Sequence, residues 1–240
     1  MASIYDKMCQ LHVPGYDFLQ DTLIDILKFE NMEKIVLLDL GAGSGILIEK
    51  VLKEFPDSIC YYLDFSDDFM YIAKERLQKY DDRVTYIKSD FNENWESVLN
   101  EKPNLVTSMS AIHHLSNENK KKLYKRCHNV LEENGWFFNI DEMKTISEDT
   151  YIKSLHYWIY HVEKQKNALL GDKEDYYLKW MSQFDNWKKR NVENIHIPKQ
   201  EGDDVHESFL VQLDWLNEIG FRETDLFSKH FLWCSIGGKK

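Results

Sequence analysis

An acidic residue and three regularly spaced glycines form the stretch of this sequence that is most informative about chemistry. Four apolar residues, 35–38, lead into Asp39, and Gly41, Gly43 and Gly45 then alternate with single residues. An apolar run that ends at glycines is typical of a strand buried in a parallel sheet, and the apolar spacing that follows predicts a helix. Glycines in such a turn let the backbone approach a ligand closely, and the first N–H groups of the helix can bind its polar or anionic parts. The stretch therefore predicts a ligand-binding turn.

The spacing of these glycines differs from that of a dinucleotide-binding turn. That turn reads G-x-G-x-x-G, whereas the residue three after Gly43 is Ile46. The stretch instead resembles the first motif of the class I S-adenosylmethionine-dependent methyltransferases, an acid-x-G-x-G-x-G at the end of strand 1. The resemblance implies that S-adenosylmethionine is the cofactor and that it contacts Asp39, Gly41, Ala42 and Gly43. A glycine-rich turn without a ligand is the alternative.

A second acid stands at the end of the next predicted strand. Residues 59–63 form that strand, and Asp64 follows them. An acid in this place can accept hydrogen bonds from both hydroxyls of a ribose. The resemblance extends to the family's second motif, acid-x-S-x-x-M, and implies that Phe65 and Met70 lie near the adenine. The alternatives are that Asp64 is only a turn residue and that Met70 belongs to the core.

The third and fourth predicted strands, 84–88 and 104–109, add further expected cofactor contacts. Asp90 and Phe91 follow the third strand. The resemblance implies that Asp90 receives the adenine amino group and that Phe91 stacks beside the ring. Ser108, near the end of the fourth strand, is also expected to contact the cofactor.

Two histidines and one glutamate are candidate catalytic residues. His113 and His114 follow the fourth strand, where the chain faces the methyl group in proteins of this family. Glu142 follows a fifth predicted strand, 136–140, at the same edge of the sheet. Imidazole and carboxylate groups can accept a proton from a nucleophile. The alternatives are that the histidines only fix their loop by hydrogen bonds and that Glu142 lies in a solvated loop.

The N-terminal residues resemble a segment that closes over the cofactor. Tyr5 is followed by an acid, and Pro14 and Gly15 predict a turn before Tyr16. The resemblance is to the branch that contains the carboxy-S-adenosylmethionine synthases and enzymes described as tRNA wobble-uridine methyltransferases. It implies that Tyr5 and Tyr16 cover the cofactor. Alternatively, both tyrosines anchor the N-terminal helix to the core.

Residues 145–205 are helical in pattern and rich in aromatic side chains. They resemble the helical cap that many small-molecule methyltransferases carry after strand 5. Aromatic walls make a dry pocket and can also hold a cation. The expected substrate-binding residues are Tyr157, His161, Trp180 and Arg190. Alternatively, most of these rings form the core of the cap itself. Lys188, Lys189 and Arg190 are candidates to bind an anionic group. In the carboxy-S-adenosylmethionine synthases a basic residue of this region holds the extra carboxylate of the cofactor.

These elements predict an α/β fold with a Rossmann-like, seven-stranded, mostly parallel sheet and an antiparallel strand 7. The expected division is an N-terminal helical lid at 1–30, a cofactor-binding core at 31–144, a helical cap at 145–205 inserted after strand 5, and the completion of the core at 206–240. A chain of 240 residues is long enough for one such domain with an elaboration.

The amino-acid composition argues against several classes of partner and of site. The formal net charge of −11 disfavours nucleic acid, because phosphate contacts need clustered Lys and Arg. The four cysteines form no C-x-x-C pair, so neither a metal site nor a disulfide framework is expected. A membrane span and a signal peptide are not indicated, and a cytoplasmic location is expected.

The sequence therefore predicts an S-adenosylmethionine-dependent methyltransferase that acts on an oxygen or nitrogen of a small molecule, as a monomer or homodimer. Three alternatives stay open. They are an RNA (tRNA wobble uridine) methyltransferase, a transferase related to a carboxylated cofactor, and a non-catalytic cofactor-binding or scaffold protein.

Overall fold

The computed structural model describes residues 2–165, 173–200 and 203–240. A seven-stranded sheet in the order β3-β2-β1-β4-β5-β7-β6 lies at its centre. The strands are β1 (Val36–Leu40), β2 (Ile59–Asp64), β3 (Val84–Lys88), β4 (Leu105–Met109), β5 (Trp136–Glu142), β6 (Arg222–His230) and β7 (Trp233–Lys239). The helices are α1 (Ala2–His12), α2 (Tyr16–Phe29), α3 (Ile46–Glu54), α4 (Asp67–Leu77), α5 (Asn117–Val130), α6 (Glu148–Gln165), α7 (Lys173–Lys188) and α8 (Phe209–Ile219).

The first five strands are parallel, and β7 runs antiparallel to both β5 and β6. The predicted fold, including the antiparallel strand 7, is therefore confirmed. Phe231 has a φ of 54° and lies in the hairpin turn, so β7 begins two residues later at Trp233.

Successive side chains of the central strands point to opposite faces of the sheet. They therefore contribute to two apolar cores, one on each face. Leu37 belongs to the core that α1, α2, α3 and α6 help to build. Its neighbour Leu38 belongs to the opposite core, which contains Leu123 of α5 and Leu216 of α8. Because both faces are covered, every residue of β1 and β5 is buried. Polar groups can therefore meet a ligand only where these strands end.

The described residues between β5 and α8 build a helical layer over the carboxyl edge of the sheet. Helix α6 packs on α1, and a π-helical turn at Lys189–Glu193 continues α7. Residues 203–207, which we call the return segment, lead back to the sheet, and the N–H of Val205 donates to the carbonyl oxygen of His113 at 2.8 Å. In the described part of the chain, no helix is long and apolar enough to span a membrane.

Candidate functional site

A cavity of about 920 Å³ opens at the carboxyl ends of the central strands. It lies where β1 separates β2 from β4, the place at which ligands bind in open α/β sheets. The turn after β1, the segment after β4, the end of β5, helix α1 and the helical layer all contribute to its wall. The sheet therefore brings residues from distant parts of the chain to one site.

The glycine turn is shaped by close packing. Gly41 has a φ of 66°, and a Cβ atom at this position would lie 2.5 Å from the Cβ of Ala111. Gly43 has a φ of 53°, but a Cβ there would meet nothing nearer than Phe69, at 3.9 Å. Gly41 is thus required by the fold, whereas Gly43 leaves open space beside the turn. This space fits a ligand that lies against the backbone.

Asp64 connects the glycine turn to the end of β2. One carboxylate oxygen accepts a hydrogen bond from the N–H of Gly43 at 2.9 Å, and the other accepts one from the N–H of Ser66 at 2.8 Å. Burial raises the pKa of Asp64, and these backbone hydrogen bonds oppose the rise. The carboxylate is therefore held in one orientation at the cavity wall.

Asp39 is a buried carboxyl group on the floor of the cavity. Burial raises its pKa to about 7, although the hydroxyl group of Thr107 donates a hydrogen bond to it at 2.8 Å. Register explains the contact, because Asp39 and Thr107 are paired residues of β1 and β4. A cation bound nearby would favour the charged form of Asp39.

Most of the expected cofactor contacts lie on the cavity, but two do not. The lining residues are Tyr5, Tyr16, Asp39, Gly41, Ala42, Gly43, Asp64, Phe65, Asp90 and Phe91. Met70 and Ser108 were expected to contact the cofactor, but neither residue lines the cavity. Met70 packs in the core beneath α4, and the Ser108 hydroxyl donates to the carbonyl oxygen of Leu40 at 2.8 Å. A side chain near the end of a buried strand can point to either face of the sheet, and the residue pattern does not determine which face.

Helix α1 forms one wall of the cavity. Tyr5, Cys9 and His12 line it, and Tyr16 follows at the start of α2. Burial raises the pKa of both tyrosines, so they are neutral phenols at ordinary pH. Arg76 of α4 donates to the carboxylate of Asp6 in α1 and, at 2.9 Å, to the carbonyl oxygen of Ser44 in the glycine turn. This arginine, which the sequence analysis missed, links α1 to the turn.

His113 is held between two carboxylates. Its Nδ1 lies 2.6 Å from Asp141, which also accepts the backbone N–H of His113 at 2.8 Å, and its Nε2 faces Asp204 at 3.7 Å. Burial lowers the pKa of His113, but the charges of Asp141, Glu142 and Asp204 outweigh it and raise the pKa to about 10. An imidazole already protonated at neutral pH does not accept another proton. The arrangement therefore argues against His113 as a general base.

Glu142 is better placed to act as a base. It lines the cavity, and its Oε2 lies 2.9 Å from Nε2 of His206. His206 is fixed from its other side by the hydroxyl of Tyr151 at 2.7 Å. All three residues are buried. Oε2 of Glu142 and Nε2 of His206 are close but poorly aligned, and neither atom forms a hydrogen bond with a described residue.

The return segment completes the site, which the sequence analysis did not foresee. Asp204 lies beside both His113 and His114, and Asn191 donates to its second oxygen at 2.7 Å. Burial would raise the pKa of Asp204, but His114 and His113 outweigh that effect and lower it. Asp204 and His206 stand in no recognisable motif, so only the fold brings them beside the residues that follow β4 and end β5.

An aromatic wall encloses the far side of the cavity. It consists of His12, Trp158, Trp180, Phe184, Trp187 and Trp233. His12 stacks on Trp180 with ring centroids 3.4 Å apart, and Trp180 in turn stacks on Phe184 at 4.7 Å. Burial lowers the pKa of His12 to about 3, so this ring is neutral. The wall is therefore flat and largely apolar.

The four expected substrate-binding residues divide into two pairs. Trp180 and Arg190 line the cavity. Tyr157 and His161 do not appear in its lining. Tyr157 stacks on Phe231, and the Nε2 of His161 lies 3.0 Å from the carbonyl oxygen of Leu11. Both therefore support the contacts of α6 with the hairpin and with α1, which differs from the predicted substrate contact and also from a place in the core of the cap itself.

Comparison with known proteins agrees with this geometry. Residues 37–135 match the family described as "Methyltransferase domain". Carboxy-S-adenosyl-L-methionine synthase 1 of Yersinia pseudotuberculosis serotype IB is 29% identical over 100 residues, which are 42% of this chain and 41% of that protein. The alignment thus spans less than half of that relative. The corresponding synthase of Nautilia profundicola is 23% identical over 227 residues, 94% of this chain and 86% of that protein.

A solved O-methyltransferase family protein from Burkholderia thailandensis has a similar fold. The TM-score is 0.62 at 12% identity, and the match covers 98% of this chain and 57% of the other. At this level of identity the similarity concerns the fold alone.

Proposed function

We propose that the protein is an S-adenosylmethionine-dependent methyltransferase that transfers a methyl group to an oxygen or nitrogen of a small molecule; the match of residues 37–135 to the methyltransferase domain supports this. One observation carries the proposal. A single cavity of about 920 Å³ joins the glycine turn to Glu142 and to the aromatic wall. A cofactor and a small acceptor can therefore meet in one enclosed space.

The residues of the first half of the cavity suit the cofactor. Asp64 presents an oriented carboxylate to the ribose hydroxyls, and the open side of Gly43 admits the ligand beside the turn. The Asp39 carboxyl, which burial keeps partly protonated near pH 7, suits the cationic methionine end. When bound, S-adenosylmethionine supplies a methyl group on a sulfonium, which is a good leaving group.

The second half of the cavity suits a flat and mostly apolar acceptor. The rings of Trp158, Trp180 and Phe184 exclude water and restrict the acceptor to few orientations. Positioning of this kind contributes on the order of 7–11 kcal/mol toward lowering a reaction barrier. Most of the catalysis therefore comes from placement.

Glu142 is the proposed base for an acceptor that arrives protonated. The residue lines the cavity, and its Oε2 is buried 2.9 Å from Nε2 of His206, which holds the carboxylate in place. The proton of the acceptor would pass to the carboxylate of Glu142. General base catalysis of this type typically contributes 10²- to 10⁴-fold.

A transferase that uses or makes a carboxylated cofactor is the second candidate function. The similarity to carboxy-S-adenosyl-L-methionine synthases over 94% of the chain favours it, and Arg190 and Lys199 line the cavity. Arg190 is, however, already close to Asp203 at 3.4 Å and to Asp204 at 3.7 Å. This pairing reduces the charge available for a cofactor carboxylate.

Calorimetric titration with S-adenosylmethionine and S-adenosylhomocysteine tests the proposal, together with mass spectrometry of any ligand that co-purifies. We expect micromolar binding of both, and methyl transfer to members of a panel of phenols, amines and acids. A co-purified carboxylated cofactor would support the second candidate. Absence of binding in a folded sample would leave a scaffold role and overturn both.

A further inference from the structure

Three electron-pair donors converge at the edge of the cavity. One potential ligand atom from each of His113, His114 and Asp204 lies within 4.8 Å of the other two. The Asp204 oxygen is 3.7 Å from His113 and 3.3 Å from His114. The first distance is too long for a hydrogen bond, and the second is beyond the usual range. In the metal-free protein, His113 and Asp204 attract each other as an ion pair across the first distance. A metal ion that binds Nε2 of His113 would displace the proton of that nitrogen.

Two of the three spacings are close to those between ligands of a transition-metal ion. Zinc binds nitrogen and oxygen ligands at about 2.0–2.2 Å, so two ligand atoms of a tetrahedral site are about 3.4 Å apart. The distances from Asp204 to the two histidines bracket this value. Two imidazoles with one carboxylate also form a donor set that divalent transition ions prefer over calcium or magnesium.

The groups behind two of these donors resemble the outer shell of a metal site. Asp141 holds Nδ1 of His113, which aims the opposite ring nitrogen, Nε2, at Asp204. Asn191 holds one oxygen of Asp204 at 2.7 Å and leaves the other to face the histidines. Partners of this kind fix the tautomer and the orientation of metal ligands. The site therefore has oriented ligands and not merely polar neighbours.

We propose that His113, His114 and Asp204 bind one divalent transition-metal ion, such as Zn²⁺, with a further coordination position open to the cavity. All three residues line that cavity. An ion there would bind an oxygen of the acceptor and stabilise its deprotonated form. This second step rests on the proposed methyl transfer, whereas binding of the ion itself does not.

The test is a titration of the metal-free full chain with Co²⁺, followed by the visible absorption of the bound ion, and a competition with Zn²⁺. We expect one equivalent to bind, with the d–d bands of nitrogen and oxygen coordination. His114→Ala and Asp204→Asn should each weaken Co²⁺ binding at least tenfold, and Asp141→Asn should weaken it 10- to 100-fold.

His156→Ala is the matched control, because His156 is an exposed histidine of α6 that lies outside the cluster. It should bind Co²⁺ like the parent protein. His114 is exposed, so its truncation is expected to leave the fold intact, which circular dichroism checks. Unchanged Co²⁺ binding in folded His114→Ala, or no binding in the folded parent, would overturn the proposal.

Titration of the metal-free protein with S-adenosylmethionine separates the two proposals. If the cofactor binds and Co²⁺ does not, the metal site is refuted and the proposed function stands. If Co²⁺ binds at the three residues and the cofactor does not, the metal site stands and the proposed function is refuted.

Discussion

At the scale of single residues, Asp64 carries the clearest prediction. Asp64→Ala removes the carboxylate that binds two backbone N–H groups and faces the cavity. Hydrogen bonds to charged groups are worth about 1.5–3 kcal/mol each, so cofactor affinity should fall by roughly 10- to 150-fold or more. Calorimetry with S-adenosylhomocysteine measures the change.

Asp68→Ala is the control for this variant, since Asp68 lies in the first turn of α4 but is exposed. It should bind the cofactor normally. Equal affinity for parent and folded Asp64→Ala protein would contradict the site described here.

Asp39 makes a prediction about pH. Its folded-state pKa of about 7 lies above the ordinary value of 3.8, because burial disfavours the charged form. The folded state therefore holds the proton more tightly, and the free energy of unfolding falls as the pH rises from about 4 to about 7. Asp39→Asn abolishes this dependence and keeps an oxygen that can accept from Thr107.

The variant should accordingly gain stability over the parent, and the gain should be larger at pH 8 than at pH 5, up to about 4 kcal/mol. Urea unfolding at both pH values measures it. A gain that is equal at the two pH values would show that the Asp39 carboxyl is not perturbed.

At the scale of elements, helix α1 is a wall that the glycine turn helps to hold. Arg76 connects α1, through Asp6, to the turn, through Ser44. Asp6→Ala should loosen α1 without changing the turn itself. The rate of S-adenosylhomocysteine dissociation should then rise several-fold, because Tyr5 and His12 of the same helix line the cavity.

Stopped-flow displacement measures this rate, and hydrogen exchange of the α1 amides reports the loosening directly. Glu54→Ala, which removes an exposed partner of Lys28, is the control and should leave both unchanged. Faster exchange in α1 with an unchanged dissociation rate would mean that α1 does not retain the ligand.

Trp158 of α6 connects α1 to the cap helices, which the sequence predicted as separate segments. Its Nε1 donates to the carbonyl oxygen of His12 at the end of α1, and its ring meets the edge of Trp187 at a centroid distance of 4.2 Å. Trp158→Ala should lower the free energy of unfolding by about 3–5 kcal/mol, as is usual for a buried tryptophan. Trp158→Phe should lose less, because it keeps most of the packing. Thermal or urea unfolding measures both, and equal losses would mean that the hydrogen bond, not the packing, holds α1.

At the scale of the whole molecule, local patterns predicted the sheet and much of the cofactor half of the site. The match of residues 37–135 to the methyltransferase domain agrees with the resemblance on which the prediction rests. Buried parallel strands read as continuous apolar runs, and their motifs stand at the strand ends, so order along the chain determined position in space. The placements of Asp39, Asp64 and Glu142 at the cavity follow from this rule.

The second half of the site depends on contacts between distant residues. The predicted boundary at residue 205 separates Asp204 from His206, yet the return segment places both beside residues that follow β4 and β5. Similarly, Tyr157 and Trp180 are both aromatic residues of cap helices, but only Trp180 faces the cavity. Helical spacing predicts which face of a helix is buried, but it does not predict which element that face packs against. The role of the cap as a separate domain stays a prediction.

Net charge provides the last prediction, because it acts over the whole surface. The formal charge of −11 repels a polyanion, and binding to nucleic acid gains its strength from Lys and Arg that neutralise phosphates. We expect no retention of tRNA by the protein at 150 mM salt, where non-specific binding of basic proteins has a Kd of about 10⁻⁴–10⁻⁶ M. A filter-binding titration at 50 and 200 mM salt measures it. Submicromolar binding that weakens steeply between the two concentrations would reveal a local basic surface that overrides the net charge, and would make an RNA acceptor the better assignment for the cavity.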